Sequence, residues 1–138
     1  MQTKSFRIVI LGNNLSEAFS MRQWLDKSGH HVVGIASSLA QACQILQHEP
    51  ADLALVETAL YDGTDGAQVA RTLAQTHGLM ALFVTTAPHI ARQASDAAAG
   101  CVIKPVRPLA LLTAIERAFG APQRDPLPAN IFHAFEIY

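Results

Sequence analysis

Residues 50–57, PADLALVE, contain the apolar run that decides the fold of this protein. Four consecutive apolar residues, 53–56, follow a proline, an alanine and an aspartate, and Glu57 comes directly after them. A run this short and this apolar is typical of a central strand in a parallel sheet, because helices cover both faces of such a strand. The neighbouring sequence then decides whether this strand belongs to a series.

Four similar runs, rich in Val, Ile, Leu or Phe, lie on either side of it. They occupy residues 6–11, 31–36, 81–85 and 101–103. Longer stretches typical of helices alternate with the runs, at residues 16–27, 39–48, 67–76, 90–98 and 109–119. This alternation predicts an α/β fold, in which right-handed crossovers place helices on both faces of a parallel sheet. In the first helix, we expect Leu15, Phe19, Met21 and Leu25 to face the sheet.

The composition narrows the possible functions. A chain of 138 residues has room for one domain of ordinary size. Ten basic residues nearly cancel 11 acidic ones, which disfavours direct nucleic-acid binding. No apolar run reaches the length of about 18 residues that a membrane span needs, so we expect a cytoplasmic protein without membrane contact. Cys43 and Cys101 lack the spacing of a metal site and are expected to be reduced packing residues.

Residues 121–138 differ in composition from residues 1–120, which we expect to form the domain. Three prolines in the first part of this segment predict a linker. The end of the chain, IFHAFEIY at residues 131–138, is apolar. It could add to a sheet edge, pack on the domain or mediate self-association, and the sequence leaves these alternatives open.

Polar residues follow four of the predicted strands, where parallel sheets of this kind bind their ligands. The polar groups are Gly12-Asn13-Asn14, Glu57-Thr58, Thr85-Thr86 and Lys104-Pro105. Packing does not require a polar cluster at this edge, so we expect the functional site there. Asn13-Asn14 is also typical of a turn that caps the first helix.

With these features in order, residues 5–119 resemble the receiver domains of two-component signalling. The resemblance rests on RIVIL at 7–11, SGHHVVG at 28–34, PADLALV at 50–56, FVT at 83–85 and Lys104-Pro105. It implies a doubly wound, five-stranded (βα)5 sheet of the flavodoxin-like kind, with the strand order 2-1-3-4-5.

The resemblance also assigns family roles to single positions. Receivers hold a divalent cation between an acidic pair and an acceptor aspartate, which takes a phosphoryl group from a histidine. The acidic pair falls on Gly12 and Asn13, and the acceptor falls on Glu57. The switch hydroxyl is Thr85, followed by Thr86 as a second possible anion contact. The phosphate-contacting lysine is Lys104, before Pro105, and Cys101 stands in place of the switch aromatic.

These departures predict a degenerate receiver, or pseudo-receiver. Mg²⁺ is usually held by carboxylate oxygens, and phosphoryl transfer depends on the charge that the ion neutralises. Gly12 and Asn13 supply no carboxylate, whereas Glu57 and Lys104 balance each other, so we expect weak or absent magnesium binding and no other cofactor. One hypothesis is that Glu57 approaches Lys104, with Thr85 as a further contact, and imitates the phosphorylated state. The alternative is that Glu57 is a solvated acid at the edge of a loop.

We therefore expect a non-enzymatic protein-interaction module of a phosphorelay. Its expected partners are a histidine kinase, a phosphotransfer protein or a regulatory protein, with a homodimer as a further option. Receivers meet partners on the face of helix four, strand five and helix five. In this chain that face includes Arg92, Gln93, Val102, Val106, Arg107, Leu111, Leu112 and Glu116. The alternatives are a working phosphoacceptor that uses Glu57 or Asp62, and a small-molecule-binding flavodoxin-like module.

Overall fold

The computed structural model describes residues 4–60, 65–120 and 133–138. Its strands are β1 (Arg7–Leu11), β2 (His31–Ala36), β3 (Leu53–Glu57), β4 (Met80–Thr85), β5 (Ala98–Ile103) and β6 (Phe135–Ile137). Its helices are α1 (Leu15–Lys27), α2 (Leu39–His48), α3 (Gly66–His77), α4 (Pro88–Ala91) and α5 (Pro108–Phe119). Within the described ranges, no helix has the length and apolar character needed to cross a membrane.

The strands form one sheet in the order β2-β1-β3-β4-β5-β6. The first five are parallel, which confirms the predicted α/β class and the order 2-1-3-4-5. The sheet has one strand more than predicted, because β6 pairs antiparallel with the edge of β5. Of the three alternatives for the apolar end of the chain, the structure thus has addition to a sheet edge. The predicted linker before it, residues 121–132, lies outside the described residues.

The core consists of two buried layers, one on each face of the sheet. On one face, Ile8 and Ile10 of β1 belong to an apolar cluster with residues of α1 and α5. On the other face, Val9 and Leu11 belong to a cluster with residues of α2, α3 and α4. Successive side chains of a strand point to opposite faces, so both sets must be apolar. This explains why the strand sequences are continuously apolar instead of alternating.

Helix α1 presents a different face to the core than the sequence predicts. Ala18, Met21 and Leu25 are buried, whereas Leu15 and Phe19 are 56% and 55% exposed. Residues 18, 21 and 25 are separated by three and four positions and share one helical face, from which residues 15 and 19 are rotated away. The prediction was wrong for Leu15 and Phe19, because it grouped large apolar residues and passed over the small Ala18.

The fourth helix is much shorter than the predicted 90–98. Helix α4 ends at Ala91, a turn of 3₁₀ helix follows at Arg92–Ala94, and β5 already begins at Ala98. Ala98 pairs with Ala81 of β4, and both side chains are buried. The alanines of this segment favour a helix by intrinsic propensity, but pairing with β4 overrides that weak preference. The small side chains lie against the sheet, where they belong to the apolar layer.

His30, between α1 and β2, is held in the neutral form. Its side chain is largely buried at 9% exposure, and its Nδ1 accepts a hydrogen bond of 3.1 Å from the backbone N–H of Phe6. The ring also stacks on Phe6 at 5.7 Å between centroids. Burial lowers the pKa of His30 below its ordinary value of 6.5, against a smaller opposing effect of Glu116.

This lowered pKa predicts a loss of stability in acid. The unfolded chain takes up the proton more readily than the folded one, so the contribution of His30 is complete above the unfolded-state pKa and declines as the pH falls below it. We expect the free energy of unfolding of the wild type to fall more steeply between about pH 7 and pH 5 than that of His30→Gln. Urea denaturation across this range measures both slopes. Equal slopes would contradict the assignment.

Candidate functional site

Polar side chains meet at the carboxyl ends of β3, β4 and β5, beside the glycine that follows β1, as the sequence predicts. Gly12 follows β1, Glu57 ends β3, Thr85 ends β4, and Lys104 follows β5. Glu57 is 8% exposed and Thr85 1% exposed, so both are buried although they lie at the edge of the sheet. Glu57 is therefore not the solvated loop-edge acid of the alternative interpretation.

Lys104 contacts two carboxylates. Its Nζ lies 3.3 Å from Oε1 of Glu57 and 3.2 Å from Oε1 of Glu17. Glu17 Oε1 is shielded from solvent and has no hydrogen bond of good geometry among the described residues, so its contact with Lys104 is an ion pair. Two negative charges face one positive charge. The expectation that Glu57 and Lys104 alone balance the site was therefore incomplete.

The sequence analysis missed Glu17, which reaches the site from the first turn of α1. Asn14 caps this helix by accepting a hydrogen bond from the Glu17 backbone N–H at 3.0 Å, which agrees with the expected capping turn. An acidic residue three positions after an N-cap is a recognised helix-start signal. That signal places Glu17 at the helix start, but only the packing of α1 on the sheet turns its carboxylate toward Lys104.

Gly12 leaves room for the Glu57 carboxylate. A Cβ atom at position 12 would lie 2.9 Å from Oε1 and 3.0 Å from Cδ of Glu57. Contacts below about 3 Å are repulsive for such atoms, so a side chain here would force Glu57 to move. Position 12, where receivers have an acidic residue, therefore needs glycine if Glu57 is to keep its present position.

Asn13 stands at the second position where receivers have an acidic residue, and its side chain binds the backbone after β3. Its Nδ2 donates a hydrogen bond of 2.8 Å to the backbone carbonyl of Ala59. A carboxylate at this position could not donate that bond, because an ionised carboxylate only accepts. Asn13 thus ties the end of β1 to the residues after β3.

Thr85 does not contact Glu57 through any described hydrogen bond. Its Oγ1 lies 3.0 Å from Oγ1 of Thr58 and accepts a hydrogen bond of 2.9 Å from the backbone N–H of Ala87. Thr86 lies beside it and lines a small cavity of about 80 Å³ together with Glu57, Thr58, Ala59, Val84, Thr85 and Lys104. Glu57 thus contacts Lys104 but not Thr85, whereas imitation of the phosphorylated state was expected to involve both.

The other positions that the sequence analysis named are Pro105 and the two cysteines. The peptide bond between Lys104 and Pro105 is cis. Cys101 is fully buried in β5 beside Phe83 of β4, and Cys43 is partly buried; both are free thiols, as expected. Burial raises the pKa of the Cys101 thiol. Asp62, the alternative phosphoacceptor, lies outside the described residues.

The predicted partner face is only partly exposed. Val102 and Leu111 are fully buried in the core, whereas Arg107 is exposed. Arg92 forms an ion pair with Glu136 of β6, which covers the edge of β5. The sequence left open whether the aliphatic residues of this face belong to the surface or to the core, and for Val102 and Leu111 they belong to the core.

The residues at the site fit a magnesium ion poorly. Mg²⁺ requires several oxygen ligands at about 2.0–2.1 Å in octahedral geometry. Gly12 offers no side chain, and the Glu57 carboxylate already contacts the Lys104 ammonium. Within the described part of the chain, no group of three or more His, Cys, Asp or Glu residues is arranged to hold a metal ion.

Comparison with known proteins places the fold in one family. The model of the response regulator receiver domain matches residues 8–116. The comparison with curated proteins finds no match. A signal receiver domain of a modulated diguanylate cyclase from Desulfovibrio desulfuricans is 25% identical, with a TM-score of 0.74 over 83% of this chain and 94% of that one.

Two structures of PhyR share the fold at lower identity. The receiver domain of Erythrobacter litoralis PhyR, solved by NMR, is 21% identical, with a TM-score of 0.75 over 91% of this chain and 97% of that one. The response regulator PhyR from Brucella abortus is 22% identical, with a TM-score of 0.73 over 85% of this chain but 49% of its own length. This chain thus spans about half of that regulator. Because the family model covers most of the chain and the fold agrees, the protein belongs to the response regulator receiver domains of two-component signalling.

Proposed function

We propose that this receiver domain is a pseudo-receiver, a cytoplasmic module that signals by binding a partner protein and not by magnesium-dependent aspartyl phosphorylation. The observation that carries the proposal is the close approach of Gly12 to Glu57, where an added Cβ would lie 2.9 Å from the carboxylate oxygen. The glutamate occupies space that a side chain at position 12 would need. A side chain at position 12 and the Glu57 carboxylate in its present position therefore compete for the same space, so an acidic residue at position 12 would require Glu57 to change its rotamer.

Electrostatics supports the same proposal. A metal ion stabilises a cluster of carboxylates by relieving their mutual repulsion. Here the Lys104 ammonium lies between Glu17 and Glu57 at 3.2 and 3.3 Å and supplies part of that relief without an ion. Phosphoryl transfer relies on positioning and on neutralising the charge of the transferred group, so a site without a bound cation lacks the main source of catalysis. We infer that the domain is not an enzyme and uses no cofactor.

The contacts favour a single resting conformation over an imitation of the phosphorylated state. Glu57 reaches Lys104, but the Thr85 hydroxyl is bound by Thr58 and by the Ala87 backbone. A carboxylate carries one charge, whereas a phosphoryl group carries about −1.5 to −2 and three acceptor oxygens. The glutamate therefore engages the lysine without drawing in the switch threonine. A histidine kinase, a phosphotransfer protein or another regulator would recognise this fixed surface.

Incubation with a small phosphodonor and Mg²⁺ tests the proposal by intact mass. We expect no gain of a phosphoryl group by the wild type, because the site lacks the carboxylates that hold the ion. The matched control is the triple variant Gly12→Asp, Asn13→Asp, Glu57→Asp, which restores the carboxylates of the family and should bind Mg²⁺ in a calorimetric titration. Stoichiometric phosphorylation of the wild type would refute the proposal. Its loss in Glu57→Gln or in Asp62→Asn would then identify the acceptor.

A further inference from the structure

The Thr85 hydroxyl connects the end of β3 with the start of α4. Its Oγ1 lies 3.0 Å from Oγ1 of Thr58, the residue after β3, and accepts a hydrogen bond of 2.9 Å from the Ala87 backbone N–H. Ala87 directly precedes α4, and its carbonyl accepts the N–H groups of Ile90 and Ala91 at 3.0 and 3.2 Å. A hydroxyl carries one donor hydrogen and two acceptor lone pairs, so Thr85 makes both contacts at once.

The backbone on both sides of this contact is held in place. The Thr85 carbonyl accepts a hydrogen bond of 2.8 Å from the Lys104 N–H, and the Thr58 carbonyl accepts one of 3.0 Å from the Gly66 N–H. The Asn13 side chain binds the carbonyl of the residue that follows Thr58, at 2.8 Å. Because these bonds fix the main chain, the two hydroxyls separate mainly by rotation of a threonine side chain about χ1, which has three staggered wells.

Burial leaves the Thr85 hydroxyl few partners. Thr85 is 1% exposed, so bulk water does not solvate it. Thr58 is half-buried, and the cavity of about 80 Å³ that both threonines line is also lined by Glu57. A buried hydroxyl that loses its partner is unfavourable, and an ionised carboxylate accepts hydrogen bonds. Thr58 and Glu57 are therefore competing partners for the Thr85 hydroxyl.

We propose that Thr58 is a positioning residue whose hydroxyl holds Thr85 against Ala87 and thereby keeps the start of α4 fixed relative to β3. The inference rests on the function proposed above, because it names the contact that maintains the resting conformation of the same site. Without the Thr58 hydroxyl, the Thr85 side chain turns toward Glu57, and the Ala87 N–H loses its acceptor. The residue directly after the acceptor position, and not the ion pair of Glu57 with Lys104, then determines whether the loop between β4 and α4 stays in place.

Thr58→Val removes the hydroxyl and keeps the branched shape of the side chain. In the full chain, we expect the Ala87 amide to exchange its hydrogen with solvent about tenfold faster than in the wild type, because its hydrogen bond to Thr85 is lost. The Lys104 amide, which binds the Thr85 carbonyl, is the internal control and should exchange at the wild-type rate. NMR measures both rates, and the chemical shift of the Thr85 methyl group reports the change of rotamer.

Further variants separate the hydroxyl from packing. Thr58→Ser keeps a hydroxyl and should return the Ala87 exchange rate to within about threefold of the wild type, whereas Thr58→Ala should behave as Thr58→Val does. Thr86→Val removes a hydroxyl from an exposed residue of the same cavity and should leave the Ala87 rate unchanged. Thr85→Val removes the acceptor itself, so adding Thr58→Val to it should have no further effect.

The proposal is overturned if the Ala87 amide exchanges at the wild-type rate in both Thr58→Val and Thr58→Ala. It is also overturned if exchange in Thr58→Ser is as fast as in Thr58→Val, or if Thr58→Val accelerates exchange further in the Thr85→Val chain, because Thr58 would then act through packing or by another route. All rates are measured without Mg²⁺ or a phosphodonor. Phosphorylation of the wild type would therefore refute the pseudo-receiver proposal and leave the result on Thr58 in place.

Discussion

Gly66→Ala is expected to destabilise the protein by about 3 kcal/mol or more, which would be the largest effect of any small substitution near the site. A Cβ atom on Gly66 would lie 2.2 Å from the carbonyl oxygen of Glu57 and 2.7 Å from Cα of Thr58. Both are backbone atoms at the end of β3, where the Gly66 N–H also donates to the Thr58 carbonyl at 3.0 Å. The start of α3 would have to move away from the strand that carries Glu57.

Gly34→Ala is the matched control for this prediction. Its Cβ atom would lie 2.8 Å from Cδ1 and 2.9 Å from Cγ2 of Ile45, which are side-chain atoms and not backbone atoms. Ile45 is β-branched and lies in α2, where one χ1 rotamer dominates, so the strain is relieved by a small shift of this side chain and of α2. The cost should be below that of Gly66→Ala, where the contacts are with backbone atoms of β3. Urea denaturation of the two variants measures the difference in the free energy of unfolding. Equal losses would show that α3 adjusts its position as readily as a side chain does.

Lys104→Met should destabilise the protein by about 2–3 kcal/mol at neutral pH, the second largest expected effect. The substitution keeps the length of the side chain but removes the ammonium, so Glu17 and Glu57 are left facing each other without a counter-charge. Removing one partner of a buried ion pair costs about 3–5 kcal/mol. The side chains of Lys104, Glu17 and Glu57 are 24%, 21% and 10% exposed, so solvent screening reduces this figure.

Two further variants separate charge from packing at Lys104. Lys104→Arg keeps the positive charge and should retain more stability than Lys104→Met. The double variant Lys104→Met, Glu57→Gln removes one of the two opposing carboxylates and should recover part of the loss, with an interaction energy of about 1 kcal/mol or more. Thermal or urea denaturation of the wild type, Lys104→Met, Glu57→Gln and the double variant completes the cycle. Strict additivity of the single changes would contradict the ion pair between Lys104 and Glu57.

The two core layers show why most of the fold could be predicted. Each central strand must be apolar on both sides, so its position appears in the sequence as an uninterrupted run, as at residues 53–56. The prediction of a helix over residues 90–98 failed because an alanine-rich sequence suits either a helix or a buried strand. Pairing of Ala98 with Ala81 on β4 decides between them, and this contact is distant in sequence.

The candidate site, like the fold, could be predicted only in part from the sequence. The positions of Gly12, Glu57, Thr85 and Lys104 follow from the order of the strands, because parallel strands bring their carboxyl ends to one edge. The Glu17 contact and the Thr58 hydroxyl bond to Thr85 do not follow from it. Each depends on how a helix or a side chain is oriented over the sheet, which periodicity does not specify.

By itself, the sequence pattern determined the α/β class and the residue types at the carboxyl ends of the strands, because strand periodicity and strand-end positions are local properties. The order of the first five strands was implied by the resemblance to receiver domains. Only the tertiary structure decided that Lys104 lies between two glutamates, that Gly12 gives its space to Glu57, and that β6 closes the edge of β5. Each of these contacts joins residues far apart in the chain. Their distances are set by the packing of whole helices and strands, which no local pattern encodes.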